Sequence, residues 1–336
     1  REVRLDFSVN INPLGMPQGV RQAITEYTAW DETYPDIECT DLRRAIAQKE
    51  GIALEQILCG NGASELLMAV VRAAAPEKCA IAAPSFSGYE RAVRAAGAEP
   101  VFYELSHDTG FGYETVCDRL SKMTVQMLFL CNPNNPTGNT IPEQILTEIL
   151  QFCASKKIRV VADECFLRFH PHYEKMSCKR FLKQYPNLLI VNAFTKFYAM
   201  AGLRLGYLMS LLHAVAQQLP EWNVSSIAQR AGISALQDTE YEKRTRQLIE
   251  KERRYLIQEF LKMGCTVFPS EADYITFRLP QEKTGFLLKE RLLEGKILIR
   301  SCANYRNMPP DCYRIAVKQH ADNEELVRQV WRILIQ

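Results

Sequence analysis

The sequence predicts an α/β protein with a largely parallel sheet, followed by a smaller α+β domain. Short β-rich segments alternate with helix-period segments through the first two thirds of the chain, and this pattern changes after about Asp238. Such alternation is typical of a parallel sheet covered by helices. The length of 336 residues also favours one large domain and one smaller domain. We expect a large domain over residues 31–237 and a small domain formed by residues 238–336 together with residues 1–30.

Five segments of the large domain have the composition of buried strands, because they are short and rich in Val, Ile, Leu, Phe and Ala. They are CAIAAP from Cys79, PVFYEL from Pro100, QMLFLC from Gln126, IRVVAD from Ile158 and LLIVNAF from Leu188. Helix-period segments occupy residues 64–75 and 143–155. These segments are therefore expected to form the sheet and covering helices of the large domain.

The small domain begins with a charged amphipathic helix over residues 238–263. A closing helix is expected from Asp322. The β-rich segments between them are CTVFPS from Cys265, YITFRL from Tyr274, KILIRS from Lys296 and YRIAV from Tyr313. The opening thirty residues are too short to fold alone, so we expect them to pack on this domain.

Composition argues against several classes of function. A net charge of +2 with 24% charged residues gives no electrostatic case for binding nucleic acid or an anionic membrane. No apolar stretch approaches the roughly 20 residues of a membrane helix. Eleven cysteines without a C-x-x-C pair, and no visible signal peptide, favour reduced thiols in a cytoplasmic protein. The histidines cluster only in HPH at His170, so no metal site is predicted.

Polar residues follow several of the predicted strands, where open α/β sheets bind their ligands. Asn135 lies in NPNNPTG, Asp163 ends one strand, and Lys196 follows another beside Thr195. The segment GNGAS, residues 60–64, opens a helix and could bind an anion. Each feature alone has an ordinary explanation, since these residue types also form caps and turns and a lone lysine is usually solvated.

The combination fits an aldehyde cofactor that carries a pyridine ring and a phosphate. Such a cofactor needs a lysine to form an imine, a carboxylate to keep the pyridine nitrogen protonated, a donor to the ring hydroxyl, an aromatic face, and a phosphate cup that contains an arginine. In that order the candidates are Lys196; Asp163; Asn135; Phe86; and the group of Gly62, Ala63, Ser64, Thr195 and Arg204.

The motifs NPNNPTG, ADE, FTKFYAMAGLRLGY and YRIAV follow one another in the chain. With them the sequence resembles the fold-type I pyridoxal-phosphate enzymes, in the branch that histidinol-phosphate aminotransferases share with threonine-phosphate decarboxylases. The resemblance covers essentially the whole chain. It implies a fold-type I transferase, whose large domain holds a mostly parallel seven-stranded sheet between helices, and it implies pyridoxal 5′-phosphate as the cofactor.

The resemblance also implies roles for single residues. Its cofactor-side assignments are Lys196 as the Schiff-base lysine, Asp163 as the partner of the pyridinium nitrogen, Phe86 as the stacking ring, Arg204 as a phosphate ligand, and Asn135 near the ring hydroxyl and the substrate carboxylate. Arg314, in YRIAV, matches the arginine that binds the substrate α-carboxylate. Tyr34, in TYPD, matches the tyrosine that one subunit lends to its neighbour's cofactor phosphate, so a homodimer with shared active sites is implied.

Two positions depart from the pattern of the aminotransferases. They usually carry a tyrosine three residues after the aspartate, where this chain has Phe166, and losing that hydroxyl should alter the pKa of the imine. A hydroxyl residue is common three residues before the lysine, where this chain has Ala193. The phosphate cup would then depend more on Ser64, Thr195 and Arg204.

The finer resemblance is to the threonine-phosphate decarboxylases. It rests on DFSVNINPLGMP, ILIRSCANYR, TKFYA, EWNVSSIAQ and the phenylalanine at 166. It implies decarboxylation of L-threonine O-3-phosphate to (R)-1-aminopropan-2-yl phosphate and carbon dioxide, in cobalamin biosynthesis. Arg300 becomes the candidate for the substrate phosphate, with Asn12 and Arg4 as weaker candidates.

Two other functions remain open at this point. An aminotransferase of the histidinol-phosphate type would use the same cofactor residues, because the cofactor alone does not decide which bond at the α-carbon breaks. A cofactor-binding regulator is disfavoured, since no helix-turn-helix segment is attached and each catalytic position is filled. Decarboxylation is the function we expect.

Overall fold

The protein is described by a computed structural model, which covers residues 3–27, 33–283, 285 and 287–335. In chain order the strands are β1 Leu5–Asp6, β2 Ile57–Gly60, β3 Lys78–Ala83, β4 Glu99–Glu104, β5 Met127–Cys131, β6 Arg159–Asp163, β7 Leu188–Ala193, β8 Gly206–Met209, β9 Thr266–Val267, β10 Tyr274–Arg278, β11 Ile297–Leu298, β12 Arg300–Ser301 and β13 Cys312–Ala316.

Twelve α-helical segments accompany these strands in the described part of the chain. They are α1 Gln18–Tyr27, α2 Thr40–Glu50, α3 Ala63–Ala74, α4 Gly88–Ala95, α5 Val116–Ser121, α6 Glu143–Ser155, α7 Tyr173–Met176, α8 Phe194–Phe197, α9 Ser226–Gln237, α10 Thr239–Lys262, α11 Leu288–Glu294 and α12 His320–Ile335. None of the helices in this part of the chain is both long and apolar enough to cross a membrane.

A seven-stranded sheet forms the centre of the molecule, with the strand order β2-β8-β7-β6-β5-β3-β4. Only β8 runs against the others, since it pairs antiparallel with both β2 and β7 while the remaining pairs are parallel. The predicted α/β fold with a mostly parallel seven-stranded sheet is confirmed. The five predicted strands are present, with ends shifted by at most one residue.

Both faces of this sheet are covered, which explains why its strands read as continuous apolar runs. Along β7 the side chains alternate between two apolar layers, Leu188 and Ile190 on one face and Leu189 and Val191 on the other. Because the connections between parallel strands place their carboxyl ends at one edge of the sheet, the polar residues after β5, β6 and β7 come together there.

The reversed strand β8 was not predicted, and it matters for the site. The chain leaves β7 at Ala193, makes the single turn of α8, and returns as β8, with Gly206 in register with both Ala193 and Gly60. Lys196 and Arg204 therefore lie in one connection at the carboxyl edge of the sheet.

The remaining sheet is small and antiparallel, in the order β12-β13-β10-β9. Helix α10 spans the predicted long helix, and Asp238 caps it by accepting a hydrogen bond from the Tyr241 N–H (2.9 Å). The predicted segment KILIRS forms two short strands, β11 and β12. The closing helix α12 begins at His320, two residues earlier than expected.

The opening residues divide their contacts between the two parts of the molecule. Strand β1 pairs in parallel with β11, with Leu5 opposite Ile297, as expected for packing on the small domain. Helix α1 packs instead on α9, inside the range assigned to the large domain. The division into domains at residues 31 and 238 stays a prediction.

Candidate active site

A cavity of about 410 Å³ lies beyond the carboxyl ends of β5, β6 and β7. Residues 8–10 and the small sheet close its other side. Ten of the sequence-predicted site residues line it: Ala63, Ser64, Phe86, Asn135, Asp163, Thr195, Lys196, Arg204, Arg300 and Arg314. Residues far apart in the sequence thus meet in one cleft.

Lys196 belongs to α8, the single helical turn after β7. Burial lowers the pKa of its amine, an effect that Asp273 opposes and that Arg314 and Arg204 reinforce. A lowered pKa increases the fraction of neutral amine, which is the nucleophilic form. The Lys196 Nζ lies 5.8 Å from the centroid of the Phe166 ring, so one wall beside the amine is aromatic.

Asp163 is the last residue of β6, and its carboxylate is fixed by two donors. Its Oδ2 accepts a hydrogen bond from the Tyr89 hydroxyl (2.7 Å) and its Oδ1 accepts one from the Cys165 N–H (3.0 Å). Tyr89 is itself fully buried and stacks on Phe129, with 5.1 Å between ring centroids. Asp163 is thus held rigidly at the floor of the cavity, as a partner for a protonated ring nitrogen must be.

The start of α3 and the connection to β8 form a cradle suited to an anion. Gly62 precedes the helix at φ +82°, and a Cβ there would lie 2.7 Å from Arg204 Nη2. A Cβ on Gly206 would lie 2.9 Å from the Ala63 backbone nitrogen. The absence of these two side chains lets the guanidinium and the first N–H groups of the helix face the same space, where Ser64 and Thr195 also line the cavity.

Arg314 lies on β13 with its guanidinium held by neutral groups. Its Nη1 donates to Asn135 Oδ1 and its Nη2 donates to the Ser8 carbonyl (3.0 Å). Its Nε is buried with no partner among the described residues. Asn135 therefore orients the arginine, and one donor of the guanidinium is left unsatisfied, as in a site that awaits an anionic ligand.

Arg300 and Arg314 are direct partners in the antiparallel pair β12–β13, so their side chains lie on one face of the sheet. Both line the cavity. Like charges directly opposite each other destabilise a strand pair, so this arrangement indicates a functional demand rather than a structural one. In the described part of the chain the polar partner of the Arg300 side chain is also neutral, since its Nη2 donates to Asn304 Oδ1 (2.8 Å).

Four predicted residues are not among those that line this cavity: Gly62, which borders Arg204, and Asn12, Arg4 and Tyr34. The Asn12 side chain is buried and donates to the Phe197 carbonyl (2.7 Å) and to Thr245 Oγ1 (2.8 Å), so its amide supports α8 and does not face the cleft. The exposed Arg4 side chain pairs with Glu325 (3.1 Å). These contacts give no support to either residue as a substrate ligand, and both assignments stay predictions. Tyr34 is 79% exposed and lies against Trp222, with 4.8 Å between ring centroids.

The two departures from the aminotransferase pattern face the site. Ala193 and Phe166 both line the cavity. The ring of Phe166 packs edge-on against Tyr274, with centroids 5.1 Å apart. The Tyr274 hydroxyl donates to the Asn134 carbonyl (2.8 Å), so it does not replace the missing phenol.

Sequence reasoning missed two residues at the site. Tyr305 lines the cavity from the loop between β12 and β13, and the buried Asp273 acts on the pKa of Lys196. The only signals were an aromatic residue in ILIRSCANYR and an acid next to a β-rich segment. Within the described ranges, no group of three or more His, Cys, Asp or Glu residues could hold a metal ion.

Comparison with known proteins identifies the class to which this fold and site belong. The family model for aminotransferase class I and II matches residues 3–330, so the chain belongs to this family of pyridoxal-phosphate enzymes. The predicted family and cofactor are confirmed.

Particular relatives fall in both branches that the sequence suggested. The chain is 35% identical to threonine-phosphate decarboxylase of Salmonella typhimurium, over 98% of this chain and 91% of that protein. It is 32% identical to the adenosylcobalamin biosynthesis bifunctional protein CobDQ of Leptospira interrogans, over 96% of this chain and 38% of that protein. Among solved structures, histidinol-phosphate aminotransferase from Clostridium acetobutylicum superposes with a TM-score of 0.89 at 31% identity, over 98% of this chain and 99% of that one.

The residues of the cavity fit pyridoxal 5′-phosphate. The glycine-lined cradle with Arg204 suits the phosphate, Asp163 suits the ring nitrogen, and Phe86 lines the space between them. Bound there, the cofactor would supply an aldehyde carbon to Lys196 and a conjugated ring that accepts electrons from a bond at the substrate's α-carbon. The residues around it would bind and orient the substrate and exchange protons with it.

Proposed function

We propose that this enzyme decarboxylates L-threonine O-3-phosphate to (R)-1-aminopropan-2-yl phosphate and carbon dioxide, as a step in cobalamin biosynthesis. The observation that carries the proposal is the pair Arg300 and Arg314, opposite each other on β12 and β13 and both facing the cavity. L-Threonine phosphate offers each guanidinium an anion, since it carries a carboxylate and a phosphate. Histidinol phosphate carries no carboxylate. The similarity to the Salmonella and Leptospira proteins supports the same choice.

In this proposal the two arginines bind the substrate, and Lys196 transfers a proton. Arg314, oriented by Asn135, binds the α-carboxylate, and Arg300 binds the phosphate. Lys196 is the one lysine among the described residues that line the cavity, so its Nζ is the group that returns a proton to the α-carbon after carbon dioxide leaves. Asp163 is held in position by hydrogen bonds from Tyr89 and Cys165, and its carboxylate would keep the ring nitrogen protonated.

The direct test is release of carbon dioxide from L-threonine phosphate by the purified holoenzyme with no 2-oxo acid present. L-Threonine without the phosphate is the matched substrate, and it should be used far less well. Exchanging Arg300 for Gln should reduce this preference for the phosphorylated substrate. No release of carbon dioxide, or equal use of both substrates, would count against the proposal.

The alternative is a histidinol-phosphate-type aminotransferase, which the similarity to the Clostridium acetobutylicum structure supports. In that case amino-group transfer to a 2-oxo acid would be observed and carbon dioxide would not be produced. The same assay separates the two functions, because an aminotransferase requires a second substrate and the decarboxylase does not.

We also propose that the enzyme is a cytoplasmic homodimer with shared active sites. Tyr34, Ile37 and Trp222 are exposed apolar side chains, and Tyr34 stays outside the cavity of its own chain. A second subunit that covers them could receive Tyr34 at its cofactor phosphate. Sedimentation of the holoenzyme as a monomer would refute this. No nucleic-acid or membrane partner is proposed.

A further inference from the structure

The loop between β12 and β13 is fastened to the large sheet by one asparagine. Asn307 Nδ2 donates to two carbonyl groups, those of Ala83 at the end of β3 and Leu105 just after β4, each at 2.9 Å. Asn307 Oδ1 lies 3.1 Å from His107 Nε2, a third contact with the same region. The loop is therefore held at a defined height above the carboxyl edge of the sheet.

Local hydrogen bonds fix Tyr305 within this loop. Its N–H donates to the Cys302 carbonyl (2.9 Å), and its carbonyl accepts from the Met308 N–H (3.2 Å). With the loop fastened at Asn307 two residues later, the phenol ring has little freedom to leave the cavity that it lines.

The Tyr305 ring contacts the three residues that would bind substrate. Its hydroxyl donates to Asn135 Oδ1 (3.3 Å) and accepts from Arg314 Nη1 (3.4 Å). The guanidinium carbon of Arg300 lies 5.3 Å from the ring centroid, within the range of a cation–π contact. Three hydrogen bonds thus join Asn135, Arg314 and Tyr305 in a closed triangle.

Tyr305 also borders a second cavity. Tyr305 lines the main cavity and a neighbouring cavity of about 110 Å³, which Arg300 borders as well. Removing the whole ring would enlarge both cavities, whereas removing the hydroxyl alone would keep the ring in place. Exchange for Phe therefore isolates the role of the hydrogen bonds.

We propose that Tyr305 is a positioning residue that determines the reaction specificity of this enzyme. Its hydroxyl holds the guanidinium of Arg314 in one orientation, and that guanidinium sets the direction of the substrate carboxylate. Only the α-carbon bond perpendicular to the cofactor ring can break readily, so a carboxylate held in that direction favours loss of carbon dioxide over loss of the α-proton. The inference rests on the proposed function for the identity of the substrate.

The first measurement is the binding of two ligands that the holoenzyme cannot decarboxylate. (R)-3-Phosphonooxybutanoate carries the carboxylate and the phosphate but no amine, and (R)-1-aminopropan-2-yl phosphate lacks the carboxylate. In Tyr305→Phe, loss of one hydrogen bond that orients a charged group should weaken binding of the first ligand about threefold to tenfold. Binding of the second ligand should be unchanged.

The second measurement is the ratio of carbon dioxide to 2-oxo acid formed from L-threonine phosphate. In the side reaction the Cα–H bond breaks, water supplies the oxygen of the 2-oxo acid, and the amino group remains on the cofactor. This ratio should fall in Tyr305→Phe. The control is Tyr185→Phe, a buried phenol outside the cavity lining, which should change neither binding nor the ratio.

Two outcomes would overturn the inference. One is unchanged binding of both ligands together with an unchanged product ratio. The other is an equal loss for both ligands, which would make Tyr305 a structural residue without selective action on the carboxylate. Failure of the proposed function would appear separately, as a wild-type enzyme that releases no carbon dioxide, and the comparison of the two ligands would still test Tyr305.

Discussion

Asp273 is a buried carboxyl group beside the site. It lies directly before β10, it is fully buried, and neither of its oxygens has a partner among the described residues. Burial raises the pKa of its carboxyl to about 7, although the charges of Lys196, Arg314 and Arg253 oppose the shift. Near neutral pH the folded protein thus holds this proton more tightly than the unfolded chain does.

Exchange of Asp273 for Asn should stabilise the protein, by an amount that depends on pH. A raised pKa in the folded state means that ionised Asp273 disfavours folding. This penalty is absent below about pH 4, grows as the pH rises towards 7, and is complete above it. The difference in Tm between the variant and the wild type should therefore increase from pH 5 to pH 8.

Thermal unfolding of the apoenzyme across this range measures the effect without any contribution from the cofactor. Asp118→Asn, at an exposed position on α5, is the control and should leave Tm unchanged. A difference in Tm that stays constant with pH would show that packing, and not the charge of Asp273, decides its effect.

Single residues were predictable where a strand end positions them. Lys196 and Asp163 follow apolar strands, and the geometry of a parallel sheet brings such positions together. Asn12 was not predictable in the same way, because an asparagine in a loop serves equally well as a ligand or as a buried donor to backbone. The contacts of its amide with Phe197 and Thr245, far away in the chain, depend on the tertiary structure and could not be read from the sequence.

At the scale of elements, the cradle depends on how closely α3 approaches β8. A Cβ at Gly206 would lie 2.9 Å from three backbone atoms, namely the Ala63 nitrogen, the Gly62 carbonyl carbon and the Asn192 oxygen. Backbone atoms at this distance cannot move aside independently, so the start of α3 would have to shift as a unit.

Gly206→Ala should therefore weaken cofactor binding. Overpacking of this kind costs about 1–3 kcal/mol, and if the whole cost falls on cofactor binding the affinity should fall roughly fivefold to 150-fold. Titration of the apoenzyme with pyridoxal phosphate, followed by its visible absorbance, gives the affinity. Gly202→Ala is the matched control, since nothing lies within 4 Å of a Cβ there. Equal affinities for the two variants would contradict the close approach as the basis of the cradle.

Most elements followed from the sequence, and the exceptions have physical causes. The strand β8 has only four residues, GYLM, and all of them are buried, so it shows no alternation of polar and apolar residues. Its place in the sheet depends on pairing with β2 and β7, which is a tertiary property. The loop that carries Tyr305 had no pattern at all, because its position is set by the contacts of Asn307 with β3 and the residue after β4.

At the scale of the whole molecule, a buried network ties α2 to the large sheet and to α10. Glu50, at the end of α2, accepts hydrogen bonds from the Tyr207 hydroxyl (2.6 Å), from Lys179 Nζ (2.8 Å) and from Arg168. Arg168 lies 3.8 Å from Glu242 on α10. Burial alone would raise the pKa of Glu50, but Arg168 and Lys179 hold it at about 2.

Exchange of Glu50 for Ala should destabilise the whole protein by about 3–5 kcal/mol, because it leaves buried cations without a partner. The lowered pKa in the folded state means that this stabilisation is present above about pH 4.5 and is lost as the pH falls towards 2. Denaturant unfolding at pH 7 measures the loss, which should diminish in acid.

The control for this network is an ion pair on the same helix. Asp41 pairs with Arg44 at the surface, with both side chains mostly exposed, and Asp41→Ala should have little effect. Similar losses for Glu50→Ala and Asp41→Ala would mean that the network contributes no more than a surface pair.

The general architecture could be predicted from alternation and length, whereas the path of the first residues could not. Strand β1 and helix α1 follow one another in the chain, yet one joins β11 and the other packs on α9. Each element covers a different apolar surface, and nothing local to the sequence distinguishes those surfaces.

The pairing of Arg300 with Arg314 has a consequence for the size of the substrate. The Cβ atoms of directly paired strand residues lie about 5 Å apart. The pairing of β12 with β13 therefore fixes the distance between the points where the Arg300 and Arg314 side chains leave the backbone. On the proposed assignment, this pairing limits the distance between the carboxylate and the phosphate of the substrate. The two strands would select a substrate by the number of atoms between its carboxylate and its phosphate, and a longer phosphorylated amino acid would have to fold back on itself to satisfy both ends.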